Sequence, residues 1–307
     1  MTRKTHRRGG GFGPRETRPA RPAAKSAEGG SERARPRRAS LDKTAAPREA
    51  RGADVLQIYG FHSVAAALRA PRRRLVRLYA TAAAAEKLAE EISARGVETR
   101  ILEANEIALR APRDAVHQGV LLEASPLEPI DISELPAEGL VVALDQVTDP
   151  HNVGAILRTC AAFAVDALVT TERHSPQFAG ALAKSASGGL EHVPICRVTN
   201  LARGLSELGD LGYWRVGMDA EAPRTLREAR LARPLALVFG AEGKGLRRLT
   251  REHCDVMARL DLPGAIKSLN VSNACAVALA LAHGELSKPA RGSSDGANSA
   301  AEPSFRN

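Results

Sequence analysis

The sequence predicts an α/β protein: a mostly parallel sheet covered on both faces by helices, preceded by a smaller α/β unit. Three observations predict it. From residue 140 onward, apolar strand candidates alternate with helix candidates, and continuous apolar strands between helices indicate a buried parallel sheet. A shorter alternation of the same kind ends at residue 124. Between the two lies a stretch with three prolines, residues 125–139, which reads as a linker.

Residues 1–53 are rich in Arg, Gly, Pro, Ala and Ser and have no hydrophobic period. They cannot bury enough apolar area to offset ordering entropy, so they are expected to be disordered. They carry 15 Lys/Arg against 5 Asp/Glu, whereas residues 54–307 carry 29 against 30, so the net charge of +9 belongs to this tail. That distribution excludes a uniformly basic, histone-like protein, and a hydrophobic content of 44% excludes global disorder. Two readings of the tail stay open: a solubilising segment, or an electrostatic arm whose Lys/Arg release counterions from RNA phosphates. Met1–Gly11 is followed by no apolar stretch, so no secretory signal is expected. The Gly and Pro content argues against the amphipathic helix of a transit peptide. No run of 18 apolar residues occurs, so no membrane span is expected.

In the smaller unit, 54–124, HSVAAALRA (62–70) suits a helix and LVRLYAT (75–81) a strand. AAAAEKLAEEISARG (82–96) reads as one Ala/Glu helix stopped by Gly96. VETRILE (97–103) and GVLLEAS (119–125) are strand candidates, with a short helix at 104–110 between them. In the larger unit, 140–286, strands are expected at 140–145, 166–171, 214–220 and 235–240, and helices at 151–164, 178–189 and 201–209. Residues 269–286 form a nearly apolar last helix, and 287–307 return to a disordered composition. Cys160, Cys196, Cys254 and Cys275 have no CxxC or zinc-knuckle spacing, so no metal site is expected. They read as reduced thiols of a cytoplasmic protein.

Three segments carry chemistry. In LDQVTDPHNVGAILRTCAAF (144–163) a strand ends, a polar loop follows and a helix begins near Asn152. Ligands in open parallel sheets sit at such strand ends. Arg158 lies about two turns beyond Asn152, in a helix otherwise so apolar that an arginine there asks for a partner or a ligand. In LALVFGAEGKGL (235–246) an apolar strand runs into Gly240-x-Glu242-Gly243-x-Gly245. This is neither a P-loop, since Gly245 follows Lys244, nor a dinucleotide fingerprint. Glu242 is a poor phosphate cradle and suits hydrogen bonds to hydroxyl or amino groups. In ARLDLPGAIKSLNVSNACAVALALA (258–282) Ser268 is expected to cap the last helix, with Asn270 in its first turn.

Together these segments resemble the SpoU (TrmH-type) branch of the SPOUT RNA methyltransferases. N-x-G-A-x-x-R at Asn152–Arg158 looks like that family's first motif, F-G-x-E-G-x-G at Phe239–Gly245 like its second, and L-P…S-L-N-V-S at Leu262–Ser272 like its third. The match runs from about Leu140 to Leu286. The smaller unit resembles the family's ribosomal-protein-like substrate-binding domain, from IYGFHSVAAAL (58–68) to HQGVLLEA (117–124). The resemblance implies an α/β-knot catalytic domain with a C-terminal trefoil knot, an exception to the rule against knots. It implies S-adenosylmethionine bound in that knot at Gly240, Leu262 and Leu269, and pairing as a homodimer with the active site near the interface. The implied reaction is 2′-O-methylation of a ribose, closest to guanosine methylation in large-subunit ribosomal RNA. Arg158 is the implied catalytic cation, with Asn152, Glu242, Ser268 and Asn270 positioning. The GAIK stretch before Ser268 is shorter than in some relatives and carries Lys267, which departs from the pattern. Other readings are a transfer-RNA methyltransferase of the same family, a non-catalytic RNA-binding assembly factor, and a nucleotide-dependent α/β enzyme, which the missing Walker pattern disfavours.

Overall fold

A computed structural model describes residues 55–287. The expected tail at 1–53 lies outside the described residues, as does the one at 287–307 beyond Ser287. The smaller unit is built from β1 (Leu56–Tyr59), α1 (Phe61–Arg69), β2 (Leu75–Ala80), α2 (Ala82–Lys87), α3 (Ala89–Arg95), β3 (Thr99–Ile101), α4 (Ala104–Arg110) and β4 (Val120–Ala124). Its four strands lie in the order β1-β4-β2-β3, with β4 antiparallel to both neighbours and β2 parallel to β3. The single helix expected over 82–96 is two. It breaks at Leu88, whose side chain is buried, while Gly96 ends the second piece in the left-handed conformation, as its sequence position suggests.

The stretch read as a linker is packed. The Ile130 amide donates to the Ile195 carbonyl, a single 3-10 turn covers Ile132–Glu134, and Ile132 and Leu135 are buried. Tyr213 fixes its far end by donating to the Pro136 carbonyl at 2.7 Å, and burial pushes that phenol up to about 12.

The larger unit follows: β5 (Leu140–Asp145), α5 (Pro150–Ala162), β6 (Ala167–Thr171), α6 (Gly180–Ala186), α7 (Gly189–His192), β7 (Ile195–Val198), α8 (Leu201–Asp210), β8 (Trp214–Met218), β9 (Arg224–Thr225), β10 (Leu235–Gly240), α9 (Arg248–Glu252), β11 (Val256–Arg259) and α10 (Val271–Leu286). Seven strands form one sheet, β7-β6-β5-β10-β8-β11-β9, and every pairing in it is parallel. Alternate residues serve opposite faces. Leu140, Val142 and Leu144 join the core that includes Ile156 and Leu279, whereas Val141 and Ala143 join the core that includes Leu205 and Leu208. This two-sided burial explains why β5 and β10 read as unbroken apolar runs. The helix expected over 178–189 is interrupted at Ser187 and Gly188, both left-handed. No helix among the described residues is long and apolar enough to cross a membrane.

One apolar core runs through both units, and buried polar contacts cross between them. Arg73 forks onto Glu191 of α7, with Nη2 at 2.6 Å and Nε at 3.0 Å from its carboxylate oxygens, and its Nη1 donates to the Ser125 carbonyl at 2.9 Å. The two side chains are only 1% and 3% exposed. Ser63 of α1 donates to the Ala183 carbonyl of α6 at 2.9 Å.

Candidate active site

The site forms where β5 and β10 end side by side, with Gly240 in register with Asp145. Asp149 caps α5 by accepting from the His151 amide at 3.0 Å, and Pro150 occupies the first turn. Those two residues start the helix slightly earlier than the sequence suggests and leave Asn152 in its first turn. Gly154 lets α5 and α6 meet closely, since a Cβ there would lie 2.6 Å from both the Leu182 carbonyl oxygen and the Ser185 Cβ.

Asn152, Glu242 and Asn270 form a closed network. Asn152 Nδ2 donates to Glu242 Oε1 at 3.0 Å, and Asn270 Nδ2 donates to the same oxygen at 2.6 Å and to Asn152 Oδ1 at 3.0 Å. Asn270, not Ser268, is the cap of α10: its Oδ1 accepts from the Ser272 amide at 2.9 Å and the Ser272 hydroxyl at 2.6 Å. The helix therefore starts at Val271, and Ser268 stands in the preceding loop. Counting valences shows what remains available. Both Asn270 amide protons and its carbonyl are used. Among the described residues, one Asn152 amide proton and Glu242 Oε2 are left to meet a ligand.

Beside the network opens a cavity of about 680 Å³. Gly240, Leu262 and Leu269, the expected cofactor contacts, all line it, with Glu242, Lys267 and Ser268. Met218, Leu260 and Val271 supply apolar wall. Lys267, the departure noted in the sequence, donates to the Leu262 carbonyl at 2.8 Å and so closes its own loop. Gly240 is required by the turn that follows it. A Cβ there would overlap the backbone of Gly245 and Leu246 rather than open space, so the glycine permits the 241–245 turn itself. Gly243 and Gly245 complete that turn with φ of 75° and 63°.

Arg158 is not gathered with these groups. It is exposed on α5 and makes no hydrogen bond or ion pair among the described residues, while Ile156, Leu157 and Cys160 around it are buried. Its backbone is touched by α7, where a Cβ on Gly189 would lie 3.0 Å from the Arg158 Cα.

Sequence reasoning missed Asp219, Glu221 and Arg251 on the cavity rim, where Asp219 pairs with Arg251. Asp219 directly follows β8, and the rule that ligands sit beyond strand ends flags that position. Sequence reasoning also missed Asp145, fully buried, which accepts from the Arg247 amide at 2.9 Å and its Nε at 2.7 Å. The four cysteines are unpaired, and burial raises the Cys160 thiol and pushes Cys196 and Cys254 up to about 12, which makes those three poor nucleophiles. No cluster of three or more metal-binding side chains occurs among the described residues.

The chain matches the SpoU rRNA Methylase family over residues 139–280 and the RNA 2′-O ribose methyltransferase substrate binding family over residues 57–130. It is 40% identical over 232 residues to the 23S rRNA (guanosine-2′-O-)-methyltransferase RlmB of Pseudomonas aeruginosa, covering 73% of this chain and 94% of that one. The corresponding protein of Pasteurella multocida is 40% identical over 233 residues, with 72% and 95% covered. The fold is shared with the SpoU methyltransferase AviRb from Streptomyces viridochromogenes, solved also with AdoMet (TM-score 0.64, 20% identity, 75% of this chain and 90% of that one). It is shared too with an AdoMet-bound rRNA methyltransferase from Sinorhizobium meliloti (TM-score 0.65, 22% identity, 76% and 88% covered).

Proposed function

Since the chain belongs to the SpoU rRNA methylase family, we propose that it methylates the 2′-oxygen of a guanosine ribose in 23S ribosomal RNA, with S-adenosylmethionine as donor. The observation that carries this reading is the Asn152–Glu242–Asn270 network, which joins all three sequence motifs beside a cavity that Glu242 lines.

The cavity fits the donor. Its volume suits a nucleoside-sized ligand, and the glycine turn at 240–245 presents backbone in place of side chains. Gly240, Leu262 and Leu269 hold the cofactor in this reading, with the Leu262 carbonyl fixed by Lys267. When bound, the sulfonium supplies an already activated methyl group. The chain's own work is then to position the ribose and stabilise charge on its oxygen. Asn152 and Glu242 offer the amide proton and carboxylate oxygen that orient it. Arg158 stabilises the forming alkoxide and grips the adjacent phosphate. It acts as a cation and not as a base, because a guanidinium does not release its proton near neutral pH. The 2′-proton leaves to phosphate or water.

Three further readings rest on the same family. Residues 54–124 capture the RNA. The segment between β11 and α10 threads as a trefoil knot, a reading supported by α10 packing on α5 beside a turn that Leu262 and Leu269 help enclose. The protein pairs as a homodimer in the cytoplasm, a reading supported by exposed Val277 on α10, which pairing would cover. The test is methyl transfer from labelled S-adenosylmethionine to 23S ribosomal RNA from a strain lacking this protein, followed by mapping of ribose methylation. One modified guanosine, absent in that strain, is expected. Label in transfer RNA alone, or none, overturns the reading.

A further inference from the structure

The carboxyl edge of the large sheet carries a second cavity, of about 490 Å³, that the site above does not use. It lies beyond β5, β6 and β7: Gln146 follows β5, Thr171 ends β6, and Thr199 and Asn200 follow β7. Opposite them stand Arg247 to Thr250, at the start of α9. One loop therefore serves two cavities. Residues 241–245 line the first and 247–250 the second, and Arg247 is held by buried Asp145.

The second cavity is built for an anion. Arg173, Arg247 and Arg248 line it with His174, and no Asp or Glu does. Buried Asp145 orients Arg247, and Arg248 pairs with Glu252 in solvent. The Arg173 guanidinium has no hydrogen bond or ion pair among the described residues. Thr250 lines the cavity, is 1% exposed, and its hydroxyl has no hydrogen-bond partner among the described residues. Buried hydroxyls are rarely left so, and each such group asks for a ligand or a water. The lining is dominated by cations, which suits a phosphate, and the RNA substrate of the proposed function supplies one. Phosphate contacts of this kind fix the register of a nucleic acid and carry no sequence information.

We propose that this cavity seats a backbone phosphate of the RNA strand that carries the target ribose, in a pocket separate from that of the methyl donor. The proposal rests on the RNA-methyltransferase reading, but its test measures binding without methyl transfer, so the two fail separately. The experiment is the affinity of the full chain for a 23S ribosomal RNA transcript across a salt series, without cofactor. Arg173→Gln is expected to weaken binding and to reduce the slope of log affinity against log salt by roughly 0.7–0.9, the value of one phosphate contact. Arg173→Lys should restore the slope, since any cation neutralises a phosphate. Thr250→Val should weaken RNA binding about threefold with the salt slope unchanged and no fall in Tm, because the hydroxyl satisfies nothing in the free protein. Calorimetric affinity for S-adenosylmethionine should stay the same in all three. Superimposable slopes for Arg173 and its Gln variant overturn the proposal. Saturable binding of inorganic phosphate or GMP with an unchanged RNA slope also overturns it, and assigns the cavity to a small anion.

Discussion

A guanidinium that pairs with nothing in its own chain contributes little to folding, and Arg158 is such a group among the described residues. Arg158→Ala should shift stability by no more than about 0.5 kcal/mol, the usual range for exposed sites. It should nonetheless abolish methyl transfer while calorimetric cofactor affinity persists. Arg158→Lys should also be poor, since a point charge does not replace a planar fork. Full turnover in the alanine variant would remove Arg158 from the mechanism. Glu242 works in the opposite way, through partners: one carboxylate oxygen receives Asn152, Asn270 and, at 3.4 Å, the Val271 amide. Glu242→Gln keeps an acceptor but loses the charge, and its amide protons oppose those of the two asparagines. A fall in kcat of roughly 100-fold is expected from the misplaced network, read in single-turnover methylation. Unchanged kcat would show that the network is only structural. At this scale the motifs made Asn152, Glu242 and Asn270 legible. They did not show that Glu242 anchors Asn152 and leaves Arg158 alone. Nor did they show which of two nearby polar residues caps α10, because Ser and Asn cap almost equally well and only the bond to the Ser272 amide decides.

Among the elements, α7 matters beyond its four residues. It holds Glu191 against Arg73 of the smaller unit and places Gly189 against the Arg158 backbone. Arg73→Ala leaves a carboxylate buried without its partner, which costs about 3–5 kcal/mol. A double variant, Arg73→Met with Glu191→Leu, should recover most of that energy, because removing both charges removes the desolvation cost as well. Denaturant melts of the three proteins check this, and a double variant as unstable as the single one would mean the pair is worth more than its burial costs. Long apolar strands such as β5 and β10 were legible because both of their faces are buried. β7, β9, β11 and α9 were not, since they are two to five residues long and carry arginines in so short a run. Periodicity has too few residues there to register. The break at Leu88 escaped notice because Ala and Glu favour helix on either side, and only packing turns the chain there.

For the whole molecule, the plainest sequence feature is the split in charge, with 15 Lys/Arg against 5 Asp/Glu in residues 1–53 and near balance after them. If that segment is an RNA arm, deleting it should weaken RNA binding and lower the salt slope by about one unit for every phosphate the arm neutralises. Turnover at saturating RNA should stay close to that of the full chain, since all three motifs lie beyond residue 140. Superimposable slopes would leave RNA capture to the folded units. That the strands fall into two sheets was likewise legible, whereas the packing of 125–139 was hidden by its prolines. The closed network has one more consequence, and it concerns time. Its bonds join residues 90 and 118 positions apart in the chain, and pairings so distant form late. A polypeptide grows from its amino end and its domains fold as they emerge. A chain stopped short of Asn270 would own every strand of the sheet but lack the residue that closes the network. Activity is then the last property a new molecule acquires, and in a refolding experiment methyl transfer should appear only after the sheet's own spectroscopic signal has levelled.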